Sequence, residues 1–96
     1  MTELVLVSPD NRSLRPLVES ALANELRLLQ AGIRQTEHRL RQFEEQYQMP
    51  TAIFLQKFEQ DEIGETLELT EWIGEFRLLT RLQEKVSTIQ GISFAN

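Results

Sequence analysis

Three observations in the sequence predict an all-α fold. Apolar residues recur at alternating spacings of four and three from Leu22 to Tyr47. A second stripe at helical spacing runs from Leu69 to Ile89. No proline interrupts the stretch between Pro16 and Pro50. The architecture expected is a long helix, a short connecting helix and a third helix folding back antiparallel on the first, the bundle being completed by oligomerisation. The divisions expected are an N-terminal arm at 1–13, a helical domain at 14–90 and a tail at 91–96.

The arm contains an apolar run, Leu4 to Val7, that suits either a short strand or an extended segment; periodicity does not decide between them. Ser8-Pro9-Asp10-Asn11 reads as a turn, and Ser13 is a candidate helix N-cap, with Pro16 tolerable in the first turn, where amides have no intrahelical partner. Leu22, Leu26, Leu29, Ile33, Thr36, Leu40, Phe43 and Tyr47 then form a heptad seam in which Thr36 alone is neither apolar nor aromatic. A helix of this extent is on the order of 50 Å long, too long to bury its stripe against itself. Gly32 lies beside the seam, as a tolerated defect or as a point where another helix approaches closely.

Gln48-Met49-Pro50-Thr51 ends the first helix, because proline disfavours helix at the residue before it and suits a new helix start. A short helix from Thr51 to Glu59 carries Phe54, Leu55 and Phe58 at helical spacing, and Asp61 to Glu65 reads as a loop. The third helix runs from about Leu67 to Ile89. Its acids Glu68 and Glu71 lie near its start and its bases Arg77, Arg81 and Lys85 towards its end, which suits the helix dipole. Gly91 is the expected stop. The apolar stripes of the first and third helices together exceed what a two-helix hairpin hides, so a homo-oligomer, with a dimer favoured, or a hetero-complex is expected.

Length and charge narrow the function. Ninety-six residues make one domain at most. There is no cysteine for a disulfide or thiolate metal site, no signal peptide is evident, and no segment approaches a transmembrane span, so the cytoplasm is the expected location. The net charge of −5 argues against nucleic acid as a partner. Between Glu59 and Glu75 the acids Glu59, Asp61, Glu62, Glu65, Glu68, Glu71 and Glu75 stand without a single base.

Candidate chemistry is sparse. His38 is the only histidine and sits near Arg34 and Arg41, so it reads as a solvated helix-face residue. Glu68, Glu71 and Glu75 share one face of the third helix. No second carboxylate helix or E-x-x-H pair accompanies them, and they read as a solvated acidic face or a surface for a basic partner. No serine lies in a nucleophile motif and the glycines are isolated, so neither catalytic residues nor a cofactor or metal site is expected. Arg27, Arg34, His38 and Arg41 form a basic stripe, balanced by glutamates on the same helix. The aromatics Tyr47, Phe54, Phe58, Trp72 and Phe76 gather around the two breaks, where packing of the bend is the plainer reading and a recognition hot spot the alternative.

One stretch carries a resemblance. Tyr47-Gln48-Met49, Phe54-Leu55-Gln56-Lys57-Phe58-Glu59, Glu62-Ile63-Gly64 and Glu71-Trp72-Ile73-Gly74-Glu75 resemble a group of small helical proteins of cyanobacteria and archaea associated with toxin–antitoxin gene pairs. The resemblance runs from about Leu14 to Leu82 and implies an antitoxin-like role; it brings no catalytic residues. This chain departs from the group's pattern in having Pro50 where a serine or threonine cap is usual. Ala52 and Ile53 replace glutamates, Asp61 replaces a glycine, and the Met1–Ser13 arm is extra. The function expected is therefore protein–protein binding that neutralises or regulates a basic partner such as a nuclease toxin. The alternatives are a structural coiled-coil adaptor and, further off, a DNA-binding regulator.

Overall fold

The computed structural model describes residues 3–10 and 12–94 and forms, among these, three α-helices and no strand. The first, α1, spans Arg15–Tyr47; α2 spans Thr51–Glu59; α3 spans Leu67–Gln90. None of them is long and apolar enough to cross a membrane.

Ahead of α1, residues 3–8 take no regular secondary structure, and Leu4, Val5, Leu6 and Val7 are exposed. The turn expected at Ser8 to Asn11 forms at Pro9 and Asp10, where the Ser8 hydroxyl donates to Asp10 Oδ1 at 2.9 Å. Asn11 lies outside the described residues, as do Met1, Thr2, Ala95 and Asn96. Ser13 is not the N-cap. Leu14 holds that position with helical backbone angles and no side-chain cap, so Ser13 falls one residue outside the helix. The helix starts without a cap because Pro16 in its first turn has no amide to satisfy, and Arg15 braces the turn by donating to Glu19 at 2.6 Å.

Among the described residues, two that are not glycine take positive φ, one after each of the first two helices. Gln48, at φ 53°, ends α1, and its N–H donates to the Glu44 carbonyl. Asp61, at φ 57°, sits in the turn after α2. Asparagine and aspartate tolerate this left-handed region better than most residues, and glycine best of all. Thr66 caps α3 by accepting from the Leu69 amide at 3.1 Å.

The register of α1 against α3 follows from three contacts. Tyr47 meets Glu68, Arg39 meets Glu75, and Gly32 lies under Leu82. Numbers fall along α1 as they rise along α3, so the helices are antiparallel. This pairing consumes the heptad seam: Leu29, Thr36 and Leu40 are buried, and Leu22, Leu26, Ile33, Phe43 and Tyr47 are half-buried. No seam residue is left fully open, but five of the eight keep part of their surface exposed although α3 is 24 residues long.

The result is a rod of 60 × 25 × 18 Å with a radius of gyration of 19.2 Å, against about 12.5 Å for a compact domain of this length. Its accessible surface is 7687 Å², while a compact monomer of the same mass exposes roughly 5,700 Å². The hydrophobic core of Leu40, Phe54, Leu69, Trp72 and Ile73 is gathered at the bend end of the rod, where α2 adds a third layer.

Two helix glycines differ in surroundings. A Cβ on Gly32 would meet Leu82 Cδ1 at 3.4 Å, an ordinary van der Waals contact, so α3 lies against this position without requiring a glycine there. A Cβ on Gly74 would meet nothing within 4 Å. Gly74→Ala is therefore expected to raise stability by about 1 kcal/mol, the helix-propensity difference, and Tm by roughly 4–8 °C. Gly32→Ala should gain at least as much, because its methyl would add a van der Waals contact with Leu82. Thermal melts followed by circular dichroism check both.

Candidate functional site

The bend is built around Trp72, which has no exposed surface. Phe54 of α2 stacks on its indole at 3.9 Å between ring centroids and 7° between planes. Phe43 and Tyr47 of α1 stack on it at 5.5 Å each. Phe58 contacts Phe54 at 6.0 Å in a tilted pair, and Phe76 packs against the same core from α3. Four of the five aromatics grouped by sequence thus meet ring to ring.

The polar groups of this core are satisfied in a chain of hydrogen bonds. Trp72 Nε1 donates to Thr51 Oγ1 at 3.0 Å, and the Thr51 amide donates to Glu44 Oε2 at 2.7 Å. Pro50, the N-cap of α2, offers no side-chain acceptor. Glu44 takes over the cap from α1, placing a carboxylate at the positive end of the α2 dipole. The absence of a serine or threonine at 50 is thereby made good. Sequence reading passed over both residues, for Glu44 is one of many helix glutamates and Thr51 is one residue past the usual cap position. The signal available was the pair itself, a glutamate in the last turn of one helix seven residues before a Pro-Thr helix start.

The acids Glu68, Glu71 and Glu75 lie along the edge of α3 that faces α1. Glu75 is half-buried and pairs with Arg39, whose Nη1 donates to both carboxylate oxygens at 3.3 and 3.2 Å. Glu68, also half-buried, lies near the Tyr47 hydroxyl and acts on its ionisation. Glu71 is exposed and lines a groove with Arg39, Gln42, Phe43, Gln46 and Glu75. Two of the three acids are therefore engaged in holding the hairpin together. Of the acids from Glu59 to Glu75, those exposed besides Glu71 are Glu59 at the end of α2 and Asp61, Glu62 and Glu65 on the way to α3, none of them in an ion pair among the described residues. The basic stripe of Arg27, Arg34, His38 and Arg41 is exposed along α1. Among the described residues no group of three His, Cys, Asp or Glu side chains is placed to hold a metal ion.

No protein-family model matches the chain, and comparison with curated proteins and with solved structures finds no match either.

Two consequences of the bend are measurable. Thr51→Val removes the acceptor for a fully buried indole N–H, an unsatisfied donor worth about 1–3 kcal/mol. Thr51→Ser, which keeps the acceptor, should lose clearly less in urea denaturation followed by tryptophan emission. Burial first, then the hydrogen bond to Glu68 and its negative charge, raise the Tyr47 phenol above its ordinary value of 10.0. The folded chain thus favours neutral Tyr47. This contribution to stability is complete below about pH 10 and is lost as pH rises through the higher, folded-state value. Tyr47 is the only tyrosine, so phenolate absorbance reads it alone. Its titration is expected above that of the urea-unfolded chain, and Tyr47→Phe should flatten the alkaline loss of stability.

Proposed function

We propose that this chain is a protein-binding module of the antitoxin kind, which engages a basic partner and neutralises or regulates it. The observation that carries the proposal is the exposed, unpaired acidic tip of the rod, Glu59, Asp61, Glu62 and Glu65, joined on the hairpin flank by Glu71. A nuclease-like toxin suits this tip, because a protein that binds nucleic acid presents a basic surface. The acids steer the encounter and raise its rate, while exposed apolar residues such as Leu4 to Val7 supply buried area. The net charge of −5 speaks against nucleic acid as the partner. This reading includes no catalytic role and no cofactor, sets the protein in the cytoplasm, and has it working as a homo-oligomer, a dimer in the first instance.

A structural adaptor is the second reading, favoured by one observation. Leu17 and Leu28 are exposed on α1 although the seam beside them is covered. An adaptor would use α1 alone and need no basic partner.

Co-expression with the product of the neighbouring gene tests the proposal. A basic partner is expected to co-purify. Stopped-flow association should then slow about tenfold or more at low salt when Glu59, Glu62 and Glu65 are changed to glutamine and Asp61 to asparagine. The salt dependence should flatten and the dissociation rate change less. No co-purifying basic partner, or identical association rates and salt slopes for the two forms, would overturn the acidic-tip reading. A stable homo-oligomer with no such partner would support the adaptor instead.

A further inference from the structure

The groove between α1 and α3 on the flank of the bend has a volume of about 280 Å³. Gln42 and Gln46 line it one turn apart on α1, and Glu71 and Glu75 one turn apart on α3. Phe43 gives it an aromatic wall, and this ring is backed by Trp72, stacked on it at 5.5 Å between centroids and 7° between planes. Arg39 and Glu75 meet across it, the guanidinium donating to both carboxylate oxygens at 3.3 and 3.2 Å. The antiparallel register that brings Tyr47 to Glu68 and Arg39 to Glu75 sets Glu71 level with Gln42 to Gln46. The ion pair therefore closes the end away from the bend, and Glu71 stands at the other.

The charges of Arg39 and Glu75 cancel, so Glu71 alone sets the sign of the groove. Its side chain is exposed and makes no ion pair or hydrogen bond among the described residues. The carboxamides of Gln42 and Gln46 are likewise exposed and without a partner among the described residues. One carboxylate and two carboxamide oxygens are thus free to accept hydrogen bonds beside an aromatic wall, and the uncompensated charge is negative.

This combination selects among cations. A metal ion wants convergent oxygen or nitrogen ligands, and among the described residues no group of three His, Cys, Asp or Glu side chains is placed to hold one. An ammonium is a compact, strongly hydrated charge that gains little from an aromatic wall. A guanidinium is flat and weakly hydrated, pairs with a carboxylate through two N–H groups and stacks on aromatic rings. The groove already holds one guanidinium in this way, that of Arg39 on Glu75. Its volume is at the lower limit of pockets that enclose small molecules, roughly 300 Å³, so it suits a single side chain carried by a larger molecule.

We propose that this groove is an arginine-binding site. It receives one arginine side chain of the partner, whose guanidinium pairs with the Glu71 carboxylate, donates to the carboxamides of Gln42 and Gln46 and lies against Phe43. This rests on the basic partner proposed above and gives that partner a fixed anchor. Glu71 is four residues into α3 from Leu67, about 6 Å along the helix, so a partner anchored there keeps its other basic groups near Glu62 and Glu65. Steering and anchoring then fall to different residues: exposed charges at the tip act on the association rate, and an enclosed, hydrogen-bonded charge pair acts on the dissociation rate.

The full chain and a blocked amino acid suffice for the test. N-acetylarginine N-methylamide carries the guanidinium as its sole charge, and its lysine counterpart carries an ammonium instead. Titrated into isotope-labelled protein and followed by NMR, the arginine probe is expected to shift the side-chain amide signals of Gln42 and Gln46 along one saturable curve. The lysine probe should bind more weakly by about fivefold or more. Glu71→Gln should weaken the arginine probe by a similar factor at unchanged helicity, since the side chain is exposed. Glu62→Gln, away from the groove, should leave it unchanged. Equal affinity for both probes, shifts that do not saturate, or unaltered binding by Glu71→Gln overturns the arginine site and leaves the steered partner standing. In complex with a co-purified basic partner, Glu71→Gln should speed dissociation about fivefold or more with little change in association; an unchanged dissociation rate likewise removes the anchor alone. Saturable binding of the arginine probe without any basic partner would keep the groove as a guanidinium site and overturn the partner.

Discussion

The hydrogen bond from Trp72 Nε1 to Thr51 Oγ1 is the contact on which the arrangement of three helices depends. An indole N–H in a fully buried position must be satisfied or it costs a large fraction of a small domain's stability. Its acceptor belongs to the first residue of α2, and that residue's own amide is held by Glu44 of α1. One short chain of donors and acceptors therefore ties α3 to α2 and α2 to α1, with the stacked rings of Phe43, Tyr47 and Phe54 enclosing it. A nine-residue helix has little stability of its own. Here its start is defined from outside, by a carboxylate and an indole from the two longer helices.

The acidic residues divide into two classes with different work. Glu44, Glu68 and Glu75 lie at the junction of helices: Glu44 accepts from an amide, Glu75 from a guanidinium, and Glu68 lies beside the Tyr47 phenol. Those on the α2–α3 turn have no such partner among the described residues and give the end of the rod its negative potential. A run of acids that looks uniform along the chain is thus split by the antiparallel register. The same register leaves the arginines at 27, 34 and 41 on the outer side of α1, so the rod has regions of opposite sign on different surfaces.

Much of the fold was legible because its signals are local. Proline at 50 and the two apolar periodicities mark three helices, and α2 begins and ends at the residues expected, Thr51 and Glu59. The gathering of aromatics at the bend followed from their positions beside the breaks. What was not legible is relational. Nothing in the one-dimensional pattern says that Glu44 caps a neighbouring helix, or that Glu75 finds Arg39 rather than solvent, because both depend on a register set by packing. Ser13 misled because a capping residue works only where the backbone leaves the helical region, and Leu14 is already helical.

The placement of the core at one end of a 60 Å rod makes the molecule mechanically uneven. At the bend, three helices share buried rings and a closed hydrogen-bond chain. At the other end Leu29 alone is buried, and the side chains around it, such as Leu22, Leu26, Val86 and Ile89, are only half-buried. Local opening follows the density of buried contacts. The two arms of the hairpin are therefore free to separate from the far end while the joint stays intact, in the manner of tweezers pivoting at their closed end. Amide protons of α1 around Leu22 and of α3 around Val86 would exchange with solvent through such partial openings, and those around Phe43 and Trp72 only when the whole chain unfolds.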